Sequence, residues 1–352
     1  MLTEIEPGVD TSDRISLLDT VPDWQKELRN AVRSVDELLR LLELKRGDLP
    51  WQPDDHPRFP VRIPVSFVRR MQKGDPRDPL LLQVLPAALE KQTLPGYVAD
   101  PLAEVGQSAT PGLIHKYQGR VLILATETCA VHCRYCFRQH FPYGENRLST
   151  DQWQRILDYL HADPSISEVI FSGGDPLSLS NNKLERLLTD LARVPHLTTL
   201  RLHSRTAVVL PSRLDQGLVT LLSQKRWRTL LVLHCNHARE LNEEVAAALL
   251  PMRKAGVTLL NQAVLLSGIN DQLNTQVELS QALFDQGVLP YYLHLLDPVA
   301  GAARFQTDDR AARELWQAMQ AKLPGYLLPR LVRETPGETA KTWMNGSHDR
   351  ST

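Results

Sequence analysis

The sequence predicts an α/β fold of six strand–helix units whose strands form a parallel sheet buried on both faces. Three observations predict it. From residue 120 onward, apolar runs of 5 to 10 residues alternate with segments of helical period, the pattern of βα units rather than of hairpins. The unusual polar residues fall at the carboxyl ends of those runs, where parallel βα folds collect their functional groups. Proline-rich, irregular sequence is concentrated before residue 115, apart from the regular region. Six units make either an open doubly wound sheet or an incomplete (β/α)6 barrel. No GxGxxG follows the first strand, which weakens a dinucleotide-binding reading.

The elements follow in order. Residues 23–44 have helical periodicity, with Leu28, Val32, Val35, Leu38, Leu39 and Leu42 on one face. The proline-dense segments LPWQPDDHPRFPVRIP, GDPRDPLLLQVLP and ATPGLIHKY break regular structure, so residues 1–115 read as helices joined by ordered loops that wrap a core. Strands are expected at 121–126, 168–172, 198–203, 228–234, 257–266 and 289–296. Helices are expected near 151–162, 181–193, 211–224, 240–254, 273–286 and 308–321. After Pro324 the sequence returns to turn chemistry. The expected division is therefore a wrapping region 1–115, a regular region 116–323 and a tail 324–352.

Composition excludes several function classes. With 42% apolar residues the 352-residue chain can bury a large core, and βα barrels of this length are often one unit. Forty basic against 41 acidic residues give a net charge of −1, so nothing draws the chain as a whole to nucleic acid or to a membrane surface. The start, MLTEIEPGVDTSDR, is polar and acidic and does not read as a secretory signal. No apolar run approaches the roughly 20 residues of a membrane span. Four cysteines, three of them in one motif, argue for a reducing compartment and a cytoplasmic protein.

That motif, Cys129, Cys133 and Cys136 in TETCAVHCRYCFRQHF, follows the first strand. Three thiolates can hold three irons of a [4Fe-4S] cluster, which normally takes four cysteines, leaving the fourth iron open to a ligand that is not protein. The rival is a structural zinc site completed by His132, His140 or Cys235. The spacing, the aromatic Phe137 and the place after strand one favour the cluster.

Other polar groups occupy successive strand ends. Ser172, Gly173, Gly174 and Asp175 follow strand two, as a plain turn or as backbone edges offered to a ligand's amino group. His203, Ser204 and Arg205 end strand three; His234, Cys235, Asn236 and His237 end strand four. Such histidines are often satisfied structural groups, and Cys235 is most simply a small buried residue. Asn261 and Gln262 lie in strand five, and Asp297 ends strand six.

These residues in this order resemble the lysine 2,3-aminomutase family of the radical S-adenosylmethionine superfamily. The resemblance runs from about Arg58 to Lys341, through RFP, DPLLLQVLP, DPLAE, HKYQGRVLIL, CxxxCRYCFR, FSGGDPL, RLHSRTAVVLP, HCNHARE, NQAVLLSGIND, LLDPVAG and GYLLPRLV. It implies an incomplete TIM-like barrel binding a [4Fe-4S] cluster and S-adenosylmethionine, the latter near Ser172, Gly173, Gly174, Asp175, Ser204, His234 and Gln262. It also implies pyridoxal 5′-phosphate, attached to Lys341 in GETAKT, with Lys116, Tyr117 and Arg120 of HKYQGR as further contacts. Taken by residue type alone, Lys341 is a solvated tail lysine and Arg120 is as well a surface ion-pair residue. Arg138 matches the arginine that grips the substrate carboxylate, a task suited to a guanidinium fork. Asp297 and Glu334 match the acids that read the distal ammonium of lysine. The implied activity is an isomerase moving the amino group of L-lysine from C2 to C3.

The chain departs from the family at several positions. Glu334 stands where the longer members carry aspartate, Gln139 replaces a second arginine, Arg304 precedes Phe305 where histidine is usual, and Trp343 replaces proline. The sequence stops 11 residues after Lys341, resembling the short branch that makes (R)-β-lysine for attachment to elongation factor P by a lysyl ligase. A flavodoxin or ferredoxin reductant is implied as well. The rivals are a catabolic or osmolyte-producing lysine aminomutase, a glutamate-acting one, which needs a cation where Asp297 and Glu334 stand, and a non-catalytic Fe–S regulator.

Overall fold

The computed structural model describes residues 23–144, 148–224 and 226–344. The readings of the first 14 residues and of the tail beyond 344 lie outside the described residues.

The chain begins with α1 (Asp23–Arg29) and α2 (Val35–Leu41), not with one helix over 23–44. The interruption has a local cause: the backbone of Val32 bridges Ile63, and the Ser34 hydroxyl accepts from the Glu37 N–H as the N-cap of α2. The apolar periodicity survives the break because Val32, Val35, Leu38, Leu39 and Leu42 all enter one core. A four-residue turn of helix, α3 (Val65–Val68), adds Phe67 to it.

A ten-stranded sheet follows, with strands adjacent in chain order. It opens with β1 (Ser108–Thr110), β2 (Leu113–Tyr117) and β3 (Arg120–Thr126), paired antiparallel in succession. From β3 the pairing is parallel through β4 (Glu168–Gly173), β5 (Thr199–Ser204), β6 (Arg228–Leu233), β7 (Thr258–Val264), β8 (Leu289–His294) and β9 (Arg330–Arg333). Then β10 (Thr342–Trp343) pairs antiparallel with β9.

This sequential order decides between the two expected architectures. A doubly wound sheet reverses its strand order at a switch point. Here the order never reverses, and crossovers of the usual right hand place the helices on one side of a curled sheet. The edges β1 and β10 do not meet, so the fold is an incomplete, TIM-like barrel.

The intervening helices are α4 (Thr150–Ala162), α5 (Asn181–Leu191), the short α6 (Thr206–Val209), α7 (Gln216–Leu222), α8 (Glu243–Lys254), α9 (Leu273–Asp285) and α10 (Asp309–Lys322). The helix expected over 211–224 is a 3₁₀ turn, Pro211–Arg213, followed by α7, whose start is set by the Asp215 carboxylate accepting from the Leu218 N–H. Two strand pairs were not expected. ATPGLIHKY holds the β1–β2 hairpin, turned at Gly112 (φ +85°), and the tail returns to the sheet as β9 and β10 rather than staying in turns. Leu331 and Val332 of β9 are fully buried, which explains why the sheet keeps so short a strand.

Two cores result. One lies between the sheet and its helices. The other is built by the N-terminal region around Leu38, Ile63, Phe67 and Leu80, and it takes in Ala130 and Val131 from the cysteine loop. No helix among the described residues is long and apolar enough to cross a membrane.

Candidate active site

The curled sheet, the cysteine loop and the N-terminal region enclose a cavity of about 580 Å³. The loop after β3 is pinned from several sides. Ala130 and Val131 are sunk in the N-terminal core, the Arg134 N–H donates to the Gln83 carbonyl at 2.9 Å, and the buried Arg134 guanidinium pairs with Glu90. Asn236 beyond β6 donates to the Tyr135 hydroxyl at 2.7 Å. These contacts hold Cys129, Cys133 and Cys136 on the cavity wall as free, partly exposed thiols. Burial and the neighbouring thiols keep Cys129 above the ordinary thiol range and push Cys136 up to about 11, so a cluster must displace protons to bind.

For the zinc alternative, each candidate fourth donor is engaged on a backbone carbonyl through one of its atoms. His132 donates to the Pro60 carbonyl at 2.7 Å, His140 donates to the Ala300 carbonyl at 2.9 Å, and Cys235 is fully buried with its thiol on the His237 carbonyl. Among the described residues no three His, Cys, Asp or Glu side chains gather to hold a single ion. Three cysteines that share a cavity wall suit a cluster better, since each thiolate then binds a different iron.

The turn after β4 grips this loop. The Gly174 N–H donates to the Thr126 carbonyl at 2.7 Å and the Asp175 N–H to the Thr128 carbonyl at 2.9 Å. A Cβ on Gly173 (φ +111°) would lie 2.6 Å from the Thr126 oxygen, and one on Gly174 2.5 Å from the Thr128 oxygen. The glycines are therefore required by the approach of the cysteine-loop backbone, although both also line the cavity. Tyr143 donates to the Gly173 carbonyl at 2.8 Å.

Asp175 is buried, which pushes its carboxyl up, while four donors oppose the shift: the Leu177, Arg205 and Thr206 N–H groups and the Ser204 hydroxyl at 2.9 Å. Ser204 does not line the cavity; it orients Asp175. Asn261 likewise closes on the Cys235 backbone, at 2.9 and 3.0 Å.

On the strand ends, burial holds the His234 imidazole down at about 3, so it is neutral, and its Nε2 accepts from the Gln262 amide at 2.8 Å. The pair lines the cavity. His237 accepts the Arg239 N–H on its Nδ1, a structural cap. His203 Nε2 and His294 Nε2 are buried on the cavity wall without a hydrogen-bond partner among the described residues. Buried polar atoms seldom go unpaired, so these two point to groups that the cavity receives. Arg120 makes no ion pair among the described residues; its guanidinium lies over the Tyr117 ring, 4.8 Å from the centroid.

The charged residues sort into pairs. Glu334 joins Lys116, at 2.7 Å, and Lys341. Burial alone would raise the Glu334 carboxyl, but the two ammonium groups hold it down at about 2. Arg138 meets Glu104 through Nε and Nη2, both at 2.7 Å, and Ser172 through Nη1 at 2.9 Å. Asp297 makes no side-chain hydrogen bond or ion pair among the described residues, and burial together with Glu334 pushes it up to about 7. The cavity thus brings together Arg138, Asp297, Glu334 and Lys341 from three distant segments. Residue reading gave no role to Glu104, His203 or His294, which also line it; DPLAE held the first of these in plain view.

Residues 123–274 match the Radical SAM superfamily. The chain is similar to L-lysine 2,3-aminomutase of Escherichia coli (strain K12), 47% identical over 321 residues, covering 91% of this chain and 94% of that protein. It is 43% identical to the Haemophilus influenzae protein of the same name, covering 91% and 95% of the two chains. Against that of Clostridium subterminale identity is 33%, covering 91% and 77%. Among solved structures, a radical SAM methyltransferase from Sphaerobacter thermophilus aligns with a TM-score of 0.43 at 17% identity, over 63% of this chain and 68% of that one.

Proposed function

The chain belongs to the L-lysine 2,3-aminomutase family of radical SAM enzymes, and on that premise we propose that it is an isomerase converting L-lysine to (R)-β-lysine. The observation that carries the reading is the arrangement of one cavity: a cysteine triplet, a guanidinium, an unpaired carboxylate and a paired lysine on its wall. Cys129, Cys133 and Cys136 would hold a [4Fe-4S] cluster, which with S-adenosylmethionine would supply radical chemistry at an unactivated carbon. Lys341 would hold pyridoxal phosphate, which would supply a conjugated system next to the migrating nitrogen.

The protein's own residues bind, orient and exclude water. Arg138 holds the lysine carboxylate. Asp297, unpaired and half-buried, receives the distal ammonium, and Glu334 provides the second carboxylate once Lys341 is engaged elsewhere. Lys116, Tyr117 and Arg120 line the cavity together and suit a phosphate. His234, Gln262, Ser172 and the Gly173–Asp175 turn also line the cavity and suit S-adenosylmethionine. By function, the described residues of 1–115 cover the cavity, those of 116–323 hold the cluster, and those of 324–352 bring the lysine.

In a cytoplasmic setting a flavodoxin or ferredoxin would serve as reductant, and the product would modify elongation factor P through its lysyl ligase. Anaerobic incubation with L-lysine, S-adenosylmethionine, pyridoxal phosphate and reductant, followed by chiral analysis, should yield (R)-β-lysine. No β-lysine and no S-adenosylmethionine cleavage from cluster-loaded protein would overturn the assignment. With elongation factor P and the ligase added, the factor should gain the mass of one β-lysyl group.

A further inference from the structure

We propose that Glu104 is a positioning and specificity residue: it holds Arg138 so that only two of its donors face the substrate carboxylate. The proposal rests on the reading of Arg138 given above. Guanidinium has five N–H donors. Glu104 takes one on Nε and one on Nη2, and the Ser172 hydroxyl takes one on Nη1. One donor on each terminal nitrogen remains, enough for a two-point contact with a carboxylate. A face of the guanidinium is covered by Phe137, whose ring centroid lies 4.6 Å from Cζ.

Glu104 is itself held in place. It is 5% exposed and Arg138 7%, so neither side chain is free to wander. The two Asp100 carboxylate oxygens accept the N–H groups of Glu104, at 3.0 Å, and Val105, at 3.1 Å. The preceding residue, Ala103, has φ +52°, a left-handed conformation that an alanine adopts only when its surroundings impose it. The same segment is tied to the loop bearing Asp297: the Val98 N–H donates to the Pro298 carbonyl at 3.0 Å, and the Ala300 N–H donates to the Val98 carbonyl at 2.9 Å. One strap therefore fixes the residue facing the carboxylate and the residue facing the distal ammonium, and with them the length of amino acid that fits between.

The test compares L-lysine with L-lysinamide, which lacks the carboxylate charge. Apparent dissociation constants are measured by equilibrium dialysis on protein loaded with cluster, S-adenosylmethionine and pyridoxal phosphate, without reductant, so that nothing turns over. Glu104→Gln removes the charge, and Glu104→Asp keeps it but withdraws the carboxylate; cluster absorbance and circular dichroism establish that each variant is folded. Both should weaken L-lysine by about tenfold or more, the scale for disturbing a buried charge contact, and leave L-lysinamide within about twofold. Equal loss for both ligands would mean mere packing and overturn the proposal. Unchanged or tighter lysine binding would do so too, since Glu104 would then be idle or a competitor for the fork. Arg138→Gln separates the premise: if it keeps the wild-type preference for lysine over lysinamide, the reading of Arg138 fails and the proposal with it. Loss of preference there but not in the Glu104 variants overturns the proposal alone.

Discussion

Asp297 and Lys341 show how single residues divide the work of the site. Asp297, pushed up to about 7 by burial and by Glu334, is protonated below that pH and charged above it. The distal ammonium of lysine stays protonated throughout this range, its ordinary pKa being about 10.4. Only the charged carboxylate attracts it. The KM for lysine should therefore rise as pH falls below about 7, approaching about tenfold per unit well below it, with kcat less affected. Asp297→Asn should bind lysine weakly at every pH and flatten this limb; a pH profile identical to wild type would remove Asp297 from ammonium recognition. Lys341, joined to Glu334 beside the edge strand β10, makes no hydrogen bond or ion pair with the cysteine loop among the described residues. Lys341→Ala should abolish β-lysine formation and leave the cluster absorbance intact, whereas loss of the cluster would make Lys341 structural.

At the scale of elements, the turn after β4 governs the cysteine loop. Gly174 has no room for a side chain, because the nearest atoms belong to the Glu127–Thr128 backbone leading into Cys129. Gly174→Ala should displace that backbone at a cost of about 1–3 kcal/mol and lose most of its iron on reconstitution. Gly47→Ala, with nothing within 4 Å of its Cβ position, should change stability by less than about 0.5 kcal/mol and load normally. Equal iron content in the two variants would separate the turn from the cluster. The six long parallel strands were legible because each is a near-continuous apolar run between helical segments. The four-residue β9 and two-residue β10 were not, since segments so short carry no periodicity and owe their conformation to the strand beside them. The interrupted helix over 23–44 failed differently: its apolar stripe was real, but it recorded a shared core, not a continuous helix.

Across the whole molecule, the cysteines were legible because their chemistry is written in local spacing. Lys341 emerged only through resemblance, and Glu104 only once the fold carried it to Arg138. Such partnerships between distant segments make the N-terminal region part of the site rather than packing around it. Phe67 is fully buried in the core that receives Ala130 and Val131 of the cysteine loop. Its ring also lies under the Arg205 guanidinium, 5.6 Å from centroid to Cζ. Arg205 in turn donates to the His234 carbonyl and to Gln83 Oε1, and the latter atom also accepts from Asn236. Removing the ring should therefore loosen the cysteine loop and the end of β6 together. Phe67→Ala should cost about 3–5 kcal/mol in urea unfolding and speed the loss of cluster iron to a chelator. Leu188→Ala, in the core under α5, should cost a comparable 2–5 kcal/mol or so without that effect. If the two variants lose iron at the same rate, global stability alone accounts for cluster retention, and the N-terminal core has no special hold on the cysteine loop.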